Sequence, residues 1–133
     1  MKKILLVPLD DRPCNLKFPL MTAASCRDVV VSVPPANYLG KYKTPGSPEK
    51  ICSWLERSSA DAEAAVISAD MLCLGGLVAS RTPAARAEEA VRRLSVLTRL
   101  RKENPKMKIY LHSVLMRLSI TADSKENEGL WKK

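Results

Sequence analysis

The sequence lacks the motifs by which several common functions are recognised. It contains one histidine and no CxxC pair, so the ligand spacing of a zinc finger or zinc ribbon is absent. It also contains no GxGxxG, no glycine-rich loop ending in Lys-Ser or Lys-Thr, no GxSxG and no HExxH. No motif therefore favours a nucleotide-binding protein, a serine hydrolase or a zinc protease.

Long apolar runs are also missing. The start MKKILLVPLDD resembles a signal peptide, but its apolar run ends after Leu9, short of the roughly 7 to 15 residues of an h-region. No later run approaches the ~18 apolar residues of a membrane span. We therefore predict a cytoplasmic protein without a membrane partner, in which the cysteines are free thiols, buried or half-buried.

What is present is typical of a folded globular domain. The 133 residues are 46% hydrophobic and 27% charged. Much of the net charge of +8 lies between Arg81 and Lys108. This segment could attract an anionic partner, or it could be the solvated exterior of a helix. Few aromatic residues and no recognised nucleic-acid motif make nucleic acid an unfavoured partner.

Apolar runs of two kinds alternate along the chain. Short β-branched runs predict four strands, and apolar residues spaced three and four apart predict helices between them. Asn15 and Ser47 are expected to cap the first two helices. The predicted strands are 4–9, 29–33, 64–68 and 107–111, and the predicted helices are 16–25, 48–59 and 83–103.

This alternation predicts an α/β fold of the order βαβαβαβ with parallel strands and right-handed crossovers. Two architectures fit it: a small doubly wound open sheet, or the first half of a TIM-like (β/α)8 barrel. We expect one α/β domain over residues 1–117, followed by a polar tail over residues 118–133. An incomplete parallel sheet would leave an edge strand unpaired, which favours self-association through that edge.

Charged residues follow several of these strands. Asp10, Asp11 and Arg12 come after the first strand, and Asp70 comes after the third. Because parallel strands present their carboxyl ends on one side, these side chains are expected to share a face with Arg81 and Arg117. Paired carboxylates can act as acid and base or ligate a divalent metal, and arginines bind carboxylate or phosphate groups through two oxygens. Alternatively, the aspartates only cap helices or satisfy loop backbone.

Two further features have an ordinary interpretation beside a functional one. Gly75 and Gly76 could bring backbone amides close to an anionic ligand, but a tight turn is the favoured use. His112, at the end of the fourth strand, is the only imidazole available as a general base, and a structural histidine is favoured there.

Five stretches of the sequence occur in this order: PLDDRPCN at 8–15, VPPANYLGKYKTPG at 33–46, WL at 54–55, VISADMLCLGGLVASR at 66–81 and LMR at 115–117. Together they resemble the amino-terminal part of the bacterial Domain of Unknown Function family 4127. Proteins of that family are several times longer, so the resemblance implies that further strands of the sheet or barrel lie outside this chain. The family's motif positions match Asp10, Asp11, Arg12, Pro13, Asn15, Pro34, Pro35, Gly40, Pro45, Gly46, Asp70, Gly75, Gly76, Ser80, Arg81 and Arg117.

Together these observations predict an enzyme, or part of one, that acts on a small polar metabolite such as a sugar. Two carboxylates would assist hydrolysis, with or without a divalent metal as cofactor. The alternatives are a non-catalytic module that binds an anionic ligand, and a truncated product without activity. The expected catalytic residues are Asp10, Asp11 and Asp70, and the expected substrate-binding residues are Arg12, Asn15, Arg81 and Arg117.

Overall fold

The computed structural model describes residues 1–81 and 87–115. Its strands are β1 (Lys2–Val7), β2 (Val29–Ser32), β3 (Ala64–Ser68) and β4 (Lys108–His112), and its α-helices are α1 (Lys17–Ala24), α2 (Pro48–Ser58), α3 (Ala69–Leu74) and α4 (Ala87–Glu103). Short 3-10 helices occupy Ala36–Tyr38 and Ala79–Arg81. The predicted tail and the first residues of the predicted third helix lie outside the described residues.

The four strands form one parallel sheet in the order β2-β1-β3-β4. The α/β fold with parallel strands is therefore confirmed, and this strand order is that of the doubly wound alternative. Strand β1 lies between β2 and β3. The chain therefore passes from β1 to β2 on one side of it, and then crosses over β1 to form β3 on the other side. The carboxyl ends of β1 and β3 consequently border a switch point, where open α/β sheets form a crevice.

The core lies on one face of the sheet. Leu5 and Val7 of β1 point to this face beside Ala65 and Ile67 of β3, and all four side chains are fully buried. Their alternate neighbours on the other face are only half-buried, which is the period-two pattern of a sheet covered more on one side. Helices α2, α3 and α4 complete this core with Ile51, Leu55, Met71, Leu72, Val96 and Leu100.

Ion pairs join α2 to α4 along the solvent side of that core. Glu49 Oε1 accepts hydrogen bonds from Arg92 Nη2 and Arg93 Nε, each at 3.0 Å. Arg99 Nε donates to Glu56 Oε1 at 2.6 Å. Several cations of the basic segment are thus engaged with carboxylates on α2 and are not a bare basic face.

The structure differs from several local sequence patterns in burial and in helix capping. The β-branched run VVVS is typical of a strand buried on both faces, but β2 is an edge strand and Val30 is 42% exposed. Neither Asn15 nor Ser47 caps a helix through its side chain. Val91 lies three residues before Leu94, at the spacing of an apolar helix face, yet it is 67% exposed because the buried side of α4 passes through Val96 and Leu100.

The four cysteines are free, as expected, but they divide into two pairs by exposure. Cys52 and Cys73 are buried, whereas Cys14 and Cys26 are exposed. Burial raises the pKa of the Cys52 thiol to about 11, and burial also raises the pKa of Cys73. The two interior thiols are therefore protonated and poorly nucleophilic near neutral pH.

The far edge of β4 is open within the described part of the chain, where its strand partner is β3 alone. Tyr110 and Leu111 on this strand are 56% and 47% exposed. Self-association through this edge stays a prediction. Across residues 1–81 and 87–115, no helix combines the length and apolar character needed to cross a bilayer.

Candidate functional site

The loop after β1, residues 8–15, is organised around the carboxylate of Asp10. Asp10 Oδ1 accepts from the backbone N–H of Arg12 at 3.1 Å and from Asn15 Nδ2 at 2.6 Å. Asp10 Oδ2 accepts from Arg12 Nε at 2.8 Å. The motif DDRPCN thus folds onto its own first aspartate, which orients the Arg12 guanidinium. We call residues 8–15 the β1 loop.

The loop after β3 begins with the short helix α3 and turns at a glycine pair. Gly75 ends α3 in the left-handed region, at φ 85°, where a side chain is disfavoured. The N–H groups of Gly75 and Gly76 donate to the carbonyls of Met71 and Asp70. These amides are already satisfied, which supports a tight turn over direct contact with an anion. Residues 75–81 are called the β3 loop below.

A third segment, residues 40–46, folds back onto the β3 loop. Lys41 and Thr44 exchange two backbone hydrogen bonds, so the chain reverses at Tyr42 and Lys43. Gly46 N–H then donates to the Gly75 carbonyl at 2.8 Å. A Cβ built on Gly40 would lie 2.9 Å from that same carbonyl oxygen, so only glycine permits the close backbone approach there. We call residues 40–46 the hairpin loop.

The three loops enclose a cavity of about 380 Å³ at the carboxyl ends of β1 and β3. The β3 loop reaches the end of β1, because a Cβ built on Gly76 would lie 3.5 Å from the Leu9 carbonyl oxygen. Three cationic and two anionic side chains border the cavity. The lining residues are Asp10, Asp11, Arg12, Gly40, Lys41, Tyr42, Gly75, Gly76, Leu77, Val78, Ala79 and Arg81.

Four of the seven residues predicted for the site border this cavity: Asp10, Asp11, Arg12 and Arg81. Asn15 does not line the cavity, and it contacts the site only indirectly, through its hydrogen bond to Asp10. Arg117 lies outside the described residues. The single histidine, His112, is exposed at the end of β4 and does not line the cavity.

Asp70 has a different environment from the aspartates of the β1 loop. It lies in the first turn of α3, is only 6% exposed and does not line the cavity. Its Oδ2 accepts a hydrogen bond from the Val114 backbone N–H at 3.0 Å, which holds the segment after β4 against the start of α3. This contact gives a buried carboxylate the partner that it requires.

Sequence reasoning missed Lys41 and Tyr42, which line the cavity from the hairpin loop. These two residues do not directly follow a predicted strand, so they are not found when only the residues after each strand are considered. The available signal was the spacing of glycines and proline in GKYKTPG, which is turn chemistry. What it could not indicate is that this turn lies against the β3 loop.

The arrangement suits a small polar ligand at the switch point. Within residues 1–81 and 87–115, Arg12 uses only Nε in a side-chain hydrogen bond, which leaves both terminal nitrogens available to an oxyanion. Asp11 is exposed and makes no side-chain hydrogen bond or ion pair in this same part of the chain. No three His, Cys, Asp or Glu side chains come together there in a way that could hold a metal ion.

Comparison with curated proteins and with solved structures gives no match to this chain. The model of one family does match, and it covers residues 4–133. The matched range includes all three loops that enclose the cavity. The chain therefore belongs to the family described as Protein of unknown function (DUF4127).

Proposed function

We propose that the cavity binds a small polar metabolite that carries an anionic group. The observation that carries this proposal is the position of Arg12, Lys41 and Arg81 around one cavity at the switch point of the sheet. Ligands of open α/β sheets are held at such points. A volume of about 380 Å³ also falls within the roughly 300 to 1,000 Å³ of small-molecule sites.

Arg12 is the main binding residue in this proposal. Its side chain is 56% exposed, and the Asp10 carboxylate holds its Nε. Because that bond orients the guanidinium plane, the two terminal nitrogens can bind two oxygens of a phosphate or carboxylate group. Asn15 supports this indirectly, since its amide fixes the other oxygen of Asp10.

Calorimetric titration of the protein with inorganic phosphate and with acetate tests the proposal. Arg12→Ala is expected to weaken the binding of the preferred anion by about tenfold or more, because a charge-assisted hydrogen bond is lost. Arg27→Ala is the matched control, since it removes the same charge from the turn that precedes β2, at the amino end of the sheet. Equal effects of the two substitutions, or no binding by the unaltered protein, would contradict the proposal.

Carboxylate-assisted hydrolysis is a second candidate, favoured by one observation. Asp11 borders the cavity with an exposed carboxylate and, among the described residues, no side-chain partner. Such a group is available to take a proton from a water molecule that attacks the bound ligand. Asp10 would then orient Arg12, and Asp70 would stabilise the fold.

This candidate is tested with p-nitrophenyl phosphate and p-nitrophenyl glycosides, whose cleavage releases a coloured product. Loss of a general base costs roughly 10² to 10⁴ in rate, so Asp11→Asn should abolish measurable turnover. Asp28→Asn, an exposed aspartate next to β2, is the control and should leave turnover unchanged. Turnover that persists in Asp11→Asn would exclude Asp11 as the base.

A further inference from the structure

Tyr42 stands at the rim of the cavity in an unusual backbone conformation. Its φ is 53°, and it is the only non-glycine residue within residues 1–81 and 87–115 with a positive φ. Placing a bulky residue in the left-handed region costs on the order of 1 kcal/mol or more. A turn of this kind accommodates Gly, Asn or Asp at lower cost.

The ring of Tyr42 has no role in the core. The residue lines the cavity, and it is 76% exposed. Its hydroxyl makes no hydrogen bond within the described part of the chain. Lys43 Nζ lies 5.6 Å from the ring centroid, a cation–π contact from the next residue of the same turn.

The hairpin loop fixes the base of this turn relative to the rest of the cavity. Lys41 and Thr44 close the turn, and Gly46 N–H holds the Gly75 carbonyl in the β3 loop. Backbone contacts at Gly40 and Gly46 leave no space for a Cβ, so the loop cannot shift without breaking this junction. The backbone at Tyr42 is therefore held at a defined place in the lining of the cavity.

The cavity is also larger than an isolated anion requires. A water molecule occupies about 30 Å³ in the liquid, so an oxyanion of a few heavy atoms fills only a small part of the available volume. Arg12 and Tyr42 both line the cavity, so a ligand larger than an isolated anion can contact both.

We propose that the ligand is a ring-bearing anion whose flat ring stacks on Tyr42 while its anionic group is held by Arg12 and Lys41. This inference rests on the proposed function and specifies its substrate class. Tyrosine rings stack on planar rings and contribute to binding beyond the burial of area alone. In this proposal the strained backbone at Tyr42 supports ligand binding, because it places the ring over the cavity.

Matched pairs of anions with and without a ring test this inference: phenyl phosphate against inorganic phosphate, and benzoate against acetate. For the anion type that binds, the ring should tighten binding about tenfold, the size of one stacking contact. Tyr42→Phe keeps the ring and should keep this gain. Tyr42→Asn should remove the gain, and asparagine tolerates the left-handed backbone, so the turn is retained.

Tyr110→Asn is the control for nonspecific ring binding, since Tyr110 is another exposed tyrosine, on β4 and outside the cavity lining. It should leave the ring gain unchanged. A ring gain that is absent from the unaltered protein, or that persists in Tyr42→Asn, would overturn the inference while leaving anion binding intact. Failure of all four anions to bind would overturn the proposed function, and this inference with it.

Discussion

The two sides of the cavity are held in place by different means. On one side, the β1 loop depends on side-chain hydrogen bonds that converge on Asp10. On the other side, the hairpin loop and the β3 loop meet through backbone atoms at Gly40, Gly46 and Gly75. The β1 loop therefore contributes charged side chains that can be substituted. The backbone contact among Gly40, Gly46 and Gly75, called the glycine junction below, determines the shape of the cavity, and most substitutions in it would disrupt that shape.

This difference predicts that the two sides respond differently to mutation. Substitution of Asp11 or Arg12 in the β1 loop should alter ligand affinity and leave the free energy of unfolding nearly unchanged, because both residues are exposed. Changes in the glycine junction should lower the free energy of unfolding first. Asp70, buried in the first turn of α3, should behave like the junction and unlike the exposed Asp11.

The largest effect is expected for Gly40→Ala. The new Cβ would lie 2.6 Å from the Thr44 carbonyl oxygen and 2.7 Å from the Gly46 nitrogen, so the hairpin loop must separate from the β3 loop. We expect the free energy of unfolding, measured with urea, to fall by about 3 kcal/mol. Gly76→Ala is the milder comparison, since its nearest contacts would lie at 3.5 Å and the cost comes only from its φ of 128°. Equal stability of Gly40→Ala and the unaltered protein would show that the junction is not rigid.

A smaller loss is expected for Asp70→Ala. The substitution leaves the Val114 N–H without its carboxylate acceptor, which costs about 1 to 3 kcal/mol of unfolding free energy. Asp70→Asn should cost less, because the amide oxygen can still accept that hydrogen bond. Anion affinity should not change in either variant, since Asp70 does not line the cavity. If anion affinity or turnover were lost while stability was kept, Asp70 would belong to the functional site after all.

The smallest effect concerns Arg92 and Arg93 of α4, which pair with Glu49 of α2 and, unlike Arg12, do not line the cavity. The hydrogen bond from Arg93 is the main cause that lowers the pKa of Glu49 below its ordinary value. The lowered pKa in the folded state means that the stabilisation is present above the unfolded-state value, about 4.3, and is lost as pH falls through the folded-state value.

Because the Glu49 side chain is 61% exposed, we expect this contribution to be only a few tenths of a kcal/mol. Urea unfolding at pH 6 and pH 3 should show that Glu49→Gln is slightly less stable than the unaltered protein at pH 6 and similar to it at pH 3. Glu103→Gln removes the same charge from an exposed position of α4 and is the control, which should be as stable as the unaltered protein at pH 6. An unchanged stability of Glu49→Gln at pH 6 would show that this ion pair does not contribute.

The sequence alone predicted the strands and the carboxyl-end position of the charged residues well. Strand β3 matches its predicted bounds, because AAVIS is a short apolar run between clear turn signals. The strand order was left open, since alternation of strands and helices is shared by both architectures. Helix α3 was missed because six residues are too few to show a helical period.

The parts of the site that sequence did not predict depend on contacts between distant segments. Lys41 and Tyr42 reach the cavity only because Gly46 meets Gly75, a contact that no local pattern encodes. Asp70 has the same strand-end position as Asp10 in sequence, yet its carboxylate is directed to Val114 by the start of α3. Position after a strand thus predicted the end of the sheet at which the cavity lies, but not which of the acids line it.

The most direct test of the proposed cavity is a pair of NMR titrations of isotope-labelled protein, one with inorganic phosphate and one with acetate, at about 0.15 M salt, where surface charges are largely screened. We expect the amide shifts to change at residues 11–12, 41–42 and 76–78, and to remain unchanged along α4. Shifts concentrated on the arginines of α4, or an absence of shifts at the cavity, would contradict an anion site at the carboxyl ends of β1 and β3.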